Sequence, residues 1–149
     1  MTGVNDVSKI DYNKRAVTLA KELLGKIIVH NDKKYMITVT EAYPFDEENN
    51  GEIKKISYVN KYRSGKGHDA LIGEDKIGTC FVFARMLHIA CKGGISKNGG
   101  TEYKCDNVLI RGAINVDDSN KFNVEDEYLN YMIGKPYVLC SKLELLPNQ

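Results

Sequence analysis

The pattern of apolar and polar positions begins with one amphipathic segment. Between Asp11 and Leu24 the apolar residues recur at the spacing of a single helix face, with Asp11 as a candidate N-cap and Gly25 as a stop. We therefore expect a helix over 11–24, preceded by a frayed segment over residues 1–10. The apolar face of this helix consists of Ala16, Leu19, Ala20, Leu23 and Leu24.

A hairpin is predicted directly after the helix. Lys26–His30 has the composition of a short buried strand, Asn31-Asp32 has turn chemistry, and Tyr35–Tyr43 has the composition of a partner strand. Alternation along the partner strand places Glu41 and Tyr43 on one face. The same alternation adds Tyr35, Ile37 and Val39 to that face.

The rest of the chain predicts more strands than helices. Residues 44–77 form a long irregular loop region, and loops of this length are often functional. The later elements are one bent strand or two strands joined at Ala84-Arg85 within Thr79–Cys91, a turn-rich stretch with Gly93-Gly94 and Gly99-Gly100, a strand at Val108–Ile114, a short helix at Asn123–Ile133 and a last strand at Tyr137–Leu143. We expect one α+β domain over residues 1–149 around a curved, mostly antiparallel sheet.

Composition narrows the choice of partners only slightly. Twenty-one Lys and Arg against 20 Asp and Glu leave a net charge of +1, so the whole chain has no strong attraction for a polyanion. Any contact with nucleic acid must use a local arrangement of charge. Two loose basic runs, which are ordinarily just solvated surface, are Lys54, Lys55, Lys61, Arg63 and Lys66, and Lys92, Lys97 and Lys104.

The four cysteines give little support for a metal site. They are widely spaced without a C-x-x-C pair, and only His88 and Cys91 have a ligand-like H-x-x-C spacing. We therefore expect no metal. No leading apolar stretch or membrane-spanning run is present, so we expect a cytoplasmic chain with reduced thiols and no membrane partner.

Two charged residues interrupt otherwise apolar strands. Glu41 and Arg111 are both expensive to bury alone, so the cheapest arrangement is that they face each other across the sheet. Two interpretations remain open: a structural ion pair, or a carboxylate that a cation positions over a cavity. Glu41 beside Tyr43 is by itself most simply a solvated strand end before Pro44.

Four segments resemble, in order, motifs of one enzyme family. They are Ala16–Lys26, Thr40–Tyr43, Gly78–Phe83 and Val108–Ala113. They are similar to the LARxLLGK helix, the ETEAY strand, the PGxxYVYxxYGMHxCxN strand pair and the VLIRA strand of the methylpurine-DNA glycosylase family, the alkyladenine or 3-methyladenine type. The resemblance covers roughly residues 15–115, and each segment alone is weak.

The resemblance implies a monofunctional enzyme of base-excision repair. Such enzymes flip a damaged purine, alkylated or deaminated, out of double-stranded DNA and hydrolyse its N-glycosidic bond without a cofactor. Glu41 matches the general base, Arg111 the arginine that holds the water near it, and Tyr43 the ring that stacks on the base. Phe81 and Phe83 match the opposite pocket wall. The fold implied is similar to the C-terminal domain of formyltransferases.

Several positions depart from the family pattern. Met86 stands at the position of the tyrosine that fills the gap left by the flipped base, and an apolar wedge there is physically sound, although a core role fits equally. Gly93 replaces an asparagine that helps to exclude guanine. Asn60 is our assignment for the family's pocket histidine, with His68 as the alternative.

Three hypotheses follow. The first is the glycosylase, a monomer acting on DNA at the bacterial nucleoid. The second is a non-catalytic DNA-binding module that keeps a degenerate base pocket, for which salt-dependent binding without base release would be diagnostic. The third is a fold relative that binds a small molecule and neither duplex nor single-stranded DNA.

Overall fold

A five-stranded antiparallel sheet forms the body of the computed structural model, which describes residues 10–49, 52–54, 69–95, 101–116, 139–140 and 143–145. Its spatial order is β1-β2-β7-β6-β5, and β3 and β4 form a separate two-stranded sheet. The elements are α1 (Ala16–Leu23), β1 (Ile27–His30), β2 (Lys33–Tyr43), β3 (Glu47–Asn49), β4 (Glu52–Lys54), a 3-10 helix (Glu74–Lys76), β5 (Cys80–Phe83), β6 (Met86–Ile95) and β7 (Tyr103–Asn115). The predicted α+β class with an antiparallel sheet is confirmed.

Helix α1 packs its predicted face on the sheet but is shorter than predicted. Leu19 and Leu23 are buried, whereas Leu24 is 47% exposed. Asp11 is not the N-cap, because the cap position is Arg15, four residues further along the chain. The Asp11 carboxylate instead accepts the main-chain N–H of Asn13 at 2.9 Å. The helix ends as predicted before Gly25, whose φ of +82° is readily adopted only by glycine.

The predicted hairpin after the helix is confirmed. Strands β1 and β2 pair from Ile27 opposite Met36 to His30 opposite Lys33. Asn31 and Asp32 both have positive φ, at 51° and 61°, and these residue types tolerate that conformation better than most. Since β1 is an edge strand, it is only partly buried, and Val29 is exposed.

One prediction for β2 is wrong, because a bulge changes which face its residues occupy. Tyr35 and Ile37 belong to the core cluster that contains α1, and the Thr40 hydroxyl also points to that side, where it donates to the Ala20 carbonyl at 2.9 Å. The β2–β7 register shifts between Ile37 and Val39 and again before Thr40. The extra residue reverses the alternation, so Glu41 lies on the face opposite to Ile37.

The segment Thr79–Cys91, for which the sequence allowed one bent strand or two strands, forms β5 and the first part of β6. They are two separate strands joined at Ala84 and Arg85, not one bent strand. The predicted turn at Gly93-Gly94 is wrong, because both glycines lie inside β6, next to a register shift between Cys91 and Gly94. Gly99-Gly100 and the helix predicted at Asn123–Ile133 lie outside the described residues.

Strand β7 is the central strand and pairs with β2 on one side and β6 on the other. The predicted last strand over 137–143 is wrong where the structure describes it, since Leu139, Cys140 and Leu143 are helical and buried. Their i, i+1, i+4 spacing is that of one helix face on the core. Within the predicted 44–77 loop region, the described residues include β3, β4 and the 3-10 helix.

The α1 side of the sheet also holds an apolar cavity of about 320 Å³. Its wall includes residues from β1, β5 and β6, with Tyr12 before the helix and Leu145 after the last described helical residue. None of the predicted site residues lines it. Among the described ranges, no helix is long and apolar enough to cross a bilayer.

Candidate active site

The face of the sheet opposite α1 carries most of the predicted site residues. Directly opposed positions in neighbouring strands share a face, and the register joins Phe81 to His88, His88 to Leu109, and Leu109 to Glu41. Tyr43 lies on this face two residues beyond Glu41. Four strands therefore contribute one continuous row, which we call the site face.

Glu41 is the centre of a polar triad on the site face. One carboxylate oxygen, Oε1, lies 3.0 Å from Nη1 of Arg111. The other oxygen, Oε2, accepts a hydrogen bond from the hydroxyl of Tyr43. The Glu41–Arg111 contact expected from the sequence is therefore present, and Tyr43 adds a second donor that fixes the orientation of the carboxylate.

This ion pair is open to solvent. The side chains of Glu41 and Arg111 are 33% and 34% exposed, so the pair is not the sealed, dry salt bridge that would leave no room for water. Each oxygen of Glu41 has one donor and keeps lone pairs for another. A carboxylate held in this way can accept a proton from a water molecule in front of it.

The two phenylalanines differ in their environment. Phe81 is buried and stacks on the His88 ring, with centroids 5.0 Å apart and planes 11° apart. Phe83 is half-buried, with its centroid 6.4 Å from that of His88 at a 60° tilt. Phe81 therefore supports the surface from below, whereas Phe83 retains exposed ring area.

The sequence did not reveal a buried polar pair beside the triad. His88 and Asn107 are both fully buried, and Nδ1 of His88 lies 3.1 Å from Oδ1 of Asn107. Burial lowers the pKa of His88, against hydrogen bonds to Asn107 and the main chain of Phe83 that favour the charged form. The only sequence clue was position, because Asn107 precedes Arg111 by two strand repeats.

The H-x-x-C pair of His88 and Cys91 does not form a pair of metal ligands, because the two side chains lie on opposite faces of the sheet. His88 lies on the site face, whereas Cys91 is part of the core cluster on the α1 side. Burial and the nearby Asp106 raise the pKa of the Cys91 thiol. Among the residues that the structure describes, no group of three or more His, Cys, Asp or Glu side chains converges.

Met86 is the first residue of β6, opposite Phe83 and directly after the turn. It is half-buried, at the end of the hairpin that carries the phenylalanines. Ala84 and Arg85 in the turn are exposed and have positive φ of 52° and 64°. Asn60 and its alternative, His68, lie outside the described residues.

Gly93 cannot be replaced without moving the main chain. A Cβ atom added there would collide with the Lys104 carbonyl oxygen and approach the Asp106 nitrogen to 2.9 Å. The asparagine that the family pattern has at this position therefore cannot be accommodated on this backbone.

A second carboxylate, which the sequence did not single out, holds the ends of the surrounding elements. Asp106 is fully buried on the α1 side and accepts the main-chain N–H groups of Ala16 and Phe45, each at 2.9 Å. Arg15 binds the same carboxylate through Nε at 2.7 Å. One side chain thus fixes the start of α1 and the turn directly after Tyr43.

The geometry defines a class of protein in which a partly exposed, supported carboxylate and aromatic rings share one face of an antiparallel sheet. The comparisons with known proteins agree with the resemblance found in the motifs. Proteins named provisionally as 3-methyladenine DNA glycosylases from the Hall, Langeland and Okra strains of Clostridium botulinum are 37% identical over 128 residues.

These alignments cover 80% of this chain and 58% of each relative, so the chain spans little more than half the length of the curated proteins it matches. The chain is similar to 3-methyladenine DNA glycosylases over most of its length, as the four motifs predicted. No family model matches the sequence. No solved structure matches the fold.

Proposed function

We propose that the chain is a monofunctional DNA glycosylase that releases damaged purines in base-excision repair. The observation that carries the proposal is the partly exposed Glu41, held by Arg111 and by the Tyr43 hydroxyl on one face of the sheet. The names and 37% identity of the relatives support the same activity. The proposed partner is double-stranded DNA with an alkylated or deaminated purine.

In the proposed reaction Glu41 acts as general base. A water molecule beside its carboxylate attacks C1′ of the flipped deoxyribose, a proton passes from the water to Glu41, and the N-glycosidic electron pair leaves with the base. Arg111 holds the carboxylate in position through the contact of its Nη1 with Oε1 at 3.0 Å. General-base catalysis of this kind contributes about 10²–10⁴-fold in rate.

Aromatic rings and the hairpin supply the rest of the proposed mechanism. Tyr43 stacks on the flipped base, and Phe83 closes the opposite wall with Phe81 behind it. Met86 occupies the gap in the duplex as an apolar wedge, which suits its place at the end of an exposed hairpin. Asn60 is proposed to line the same pocket, and the fold to be similar to the formyltransferase C-terminal domain. We propose a monomer at the bacterial nucleoid.

The decisive experiment is Glu41→Gln, measured as base release from duplexes that contain hypoxanthine, ethenoadenine or 3-methyladenine. We expect a loss of about 100-fold or more, since the amide cannot accept the proton. Glu144→Gln is the matched control, because Glu144 is an exposed carboxylate paired with Lys33 at 2.8 Å, away from the site face. No release by the unmodified chain from any of the three duplexes would defeat the proposal.

The alternative, a non-catalytic DNA-binding module, draws on one observation. The backbone at Gly93 leaves no room for the asparagine side chain that the family pattern has there, so one side chain of the family's base pocket has no counterpart at this position. Salt-dependent binding to duplex DNA without base release would favour it. Failure to bind either duplex or single-stranded DNA would instead favour a small-molecule site on a related fold.

A further inference from the structure

The polar groups of the site face include one buried donor that the protein itself does not use. Asn107 is fully buried, and its Nδ2 has no hydrogen-bond partner among the described residues. An unpaired buried donor destabilises the fold, because the group has lost its hydrogen bond to water. Such a group is satisfied by an ordered water, is a cost to the fold, or is satisfied when a ligand is bound.

The position of Asn107 favours a ligand. Asn107 lies directly opposite Tyr43 in the β2–β7 register, on the strand that also carries Arg111. It is the diagonal neighbour of Glu41, and diagonal neighbours in an antiparallel sheet are about 7–8 Å apart. That separation is longer than a purine measured from its glycosidic nitrogen to its 6-substituent, and the difference leaves room for one hydrogen bond of about 2.9 Å.

The pair with His88 fixes which end of the amide is available. Oδ1 of Asn107 is engaged by Nδ1 of His88, and the His88 ring is held by its stack on Phe81. The two ends of a carboxamide diverge, so Nδ2 points away from His88. Purines differ at this point of contact, because a deaminated base carries an oxygen acceptor at position 6 and an adenine-type base carries an amino donor.

We propose that Asn107 is a specificity-determining residue that selects deaminated purines by donating from Nδ2 to the 6-oxygen of the flipped base. This inference rests on the proposed function. With its glycosidic nitrogen near Glu41 and its ring on Tyr43, the base directs its 6-position toward Asn107. An amino group at position 6 would meet a donor there, which leaves both donors unpaired. His88 acts as a positioning residue for Asn107.

The test compares two bases and two versions of the chain. Asn107→Leu removes the donor at similar volume, and we expect kcat/KM for hypoxanthine to fall about 10-fold, while 3-methyladenine release changes less than about 3-fold. Asn107→Asp, which can accept from an amino group, is expected to shift the ratio further toward 3-methyladenine. Thr40→Val is the matched control, because it removes a hydrogen bond of the same sheet on the α1 side and should leave the ratio unchanged.

A substrate change makes the test independent of how well a variant folds. With the unmodified chain, a duplex carrying unsubstituted purine, which lacks the 6-oxygen, should lose about the same factor relative to hypoxanthine. Asn107→Leu should then no longer distinguish these two bases. Equal losses for hypoxanthine and 3-methyladenine, or no loss for either, would overturn the inference and leave the glycosylase proposal intact. Release of no base by the unmodified chain would defeat the glycosylase proposal itself.

Discussion

The two faces of the sheet each hold one carboxylate paired with one arginine, and the two pairs are built differently. Asp106 is completely buried and accepts from two main-chain N–H groups as well as from Arg15. Glu41 is one-third exposed, accepts from Arg111 and Tyr43, and contacts no main-chain donor among the described residues. The first arrangement joins distant segments of the chain, whereas the second presents a charged group to the solvent.

The two carboxylates differ in how many protein donors surround them. Every direction around Asp106 is occupied by a protein donor, so its removal leaves several groups unsatisfied. Around Glu41 the protein supplies orientation and leaves one side open. A fold gains stability from the first kind of site, and chemistry needs the second.

The largest expected effect is the loss of stability on removing the buried carboxylate. Asp106→Ala should lower the free energy of unfolding by about 3–5 kcal/mol, because it leaves two main-chain donors and an arginine without their acceptor. Glu41→Ala should lower it by no more than about 1 kcal/mol, as expected for a partly exposed pair. Urea unfolding measures both, and similar losses for the two variants would remove the distinction between the faces.

A second expected effect is an acid sensitivity that originates on the site face. The pKa of His88 in the folded chain lies below its ordinary value of 6.5, because burial disfavours the imidazolium. Below pH 6.5 the imidazole of His88 is protonated in the unfolded chain while it is still neutral in the folded chain. The contribution of His88 to the free energy of unfolding is therefore fully present above pH 6.5 and is lost as the pH falls toward the pKa of the folded chain.

The His88→Gln variant isolates this contribution. Its stability should decline less steeply below pH 6.5 than that of the unmodified chain, the difference being at most about 1.4 kcal/mol per pH unit. Urea unfolding between neutral and mildly acidic pH measures the two slopes. Parallel slopes would show that His88 does not carry a proton-linked part of the stability.

The smallest expected effect concerns the turns of the two hairpins. Arg85 adopts a positive φ of 64° without the tolerance of Asn or Asp, so Arg85→Gly should raise stability by about 0.5–1 kcal/mol. Asp32→Gly, at φ of 61° in the other turn, should change it by only a few tenths of a kcal/mol. Thermal unfolding of the two variants tests this, and a destabilised Arg85→Gly would show that the arginine contributes more than the strain costs.

The sequence pattern was sufficient to predict those elements that depend on residues close together in the chain. The apolar spacing of Leu19 and Leu23 reports the buried face of α1, and Asn31-Asp32 reports the hairpin turn, because both depend on residues within a few positions of each other. The expected meeting of Glu41 and Arg111 follows from the cost of burying a lone charge. The roles proposed for these two residues remain predictions.

The features that were not predicted depend on partners far apart in the sequence. Asp106 caps α1 from 90 positions away, so nothing near Ala16 indicates the cap. The His88–Asn107 pair requires the β6–β7 register, which alternation alone does not supply. The bulge near Thr38 has no residue signature, and it reversed the predicted face for Ile37.

That bulge has a consequence for how this strand tolerates change in length. Because alternation reverses between Ile37 and Thr40, the number of residues separating the last core position from Glu41 is as important as their identity. Removing one residue there would turn either Ile37 toward the site face or Glu41 and Tyr43 toward α1. Substitutions in this segment are therefore easier to accommodate than a single insertion or deletion, and alignments of relatives should keep its length constant.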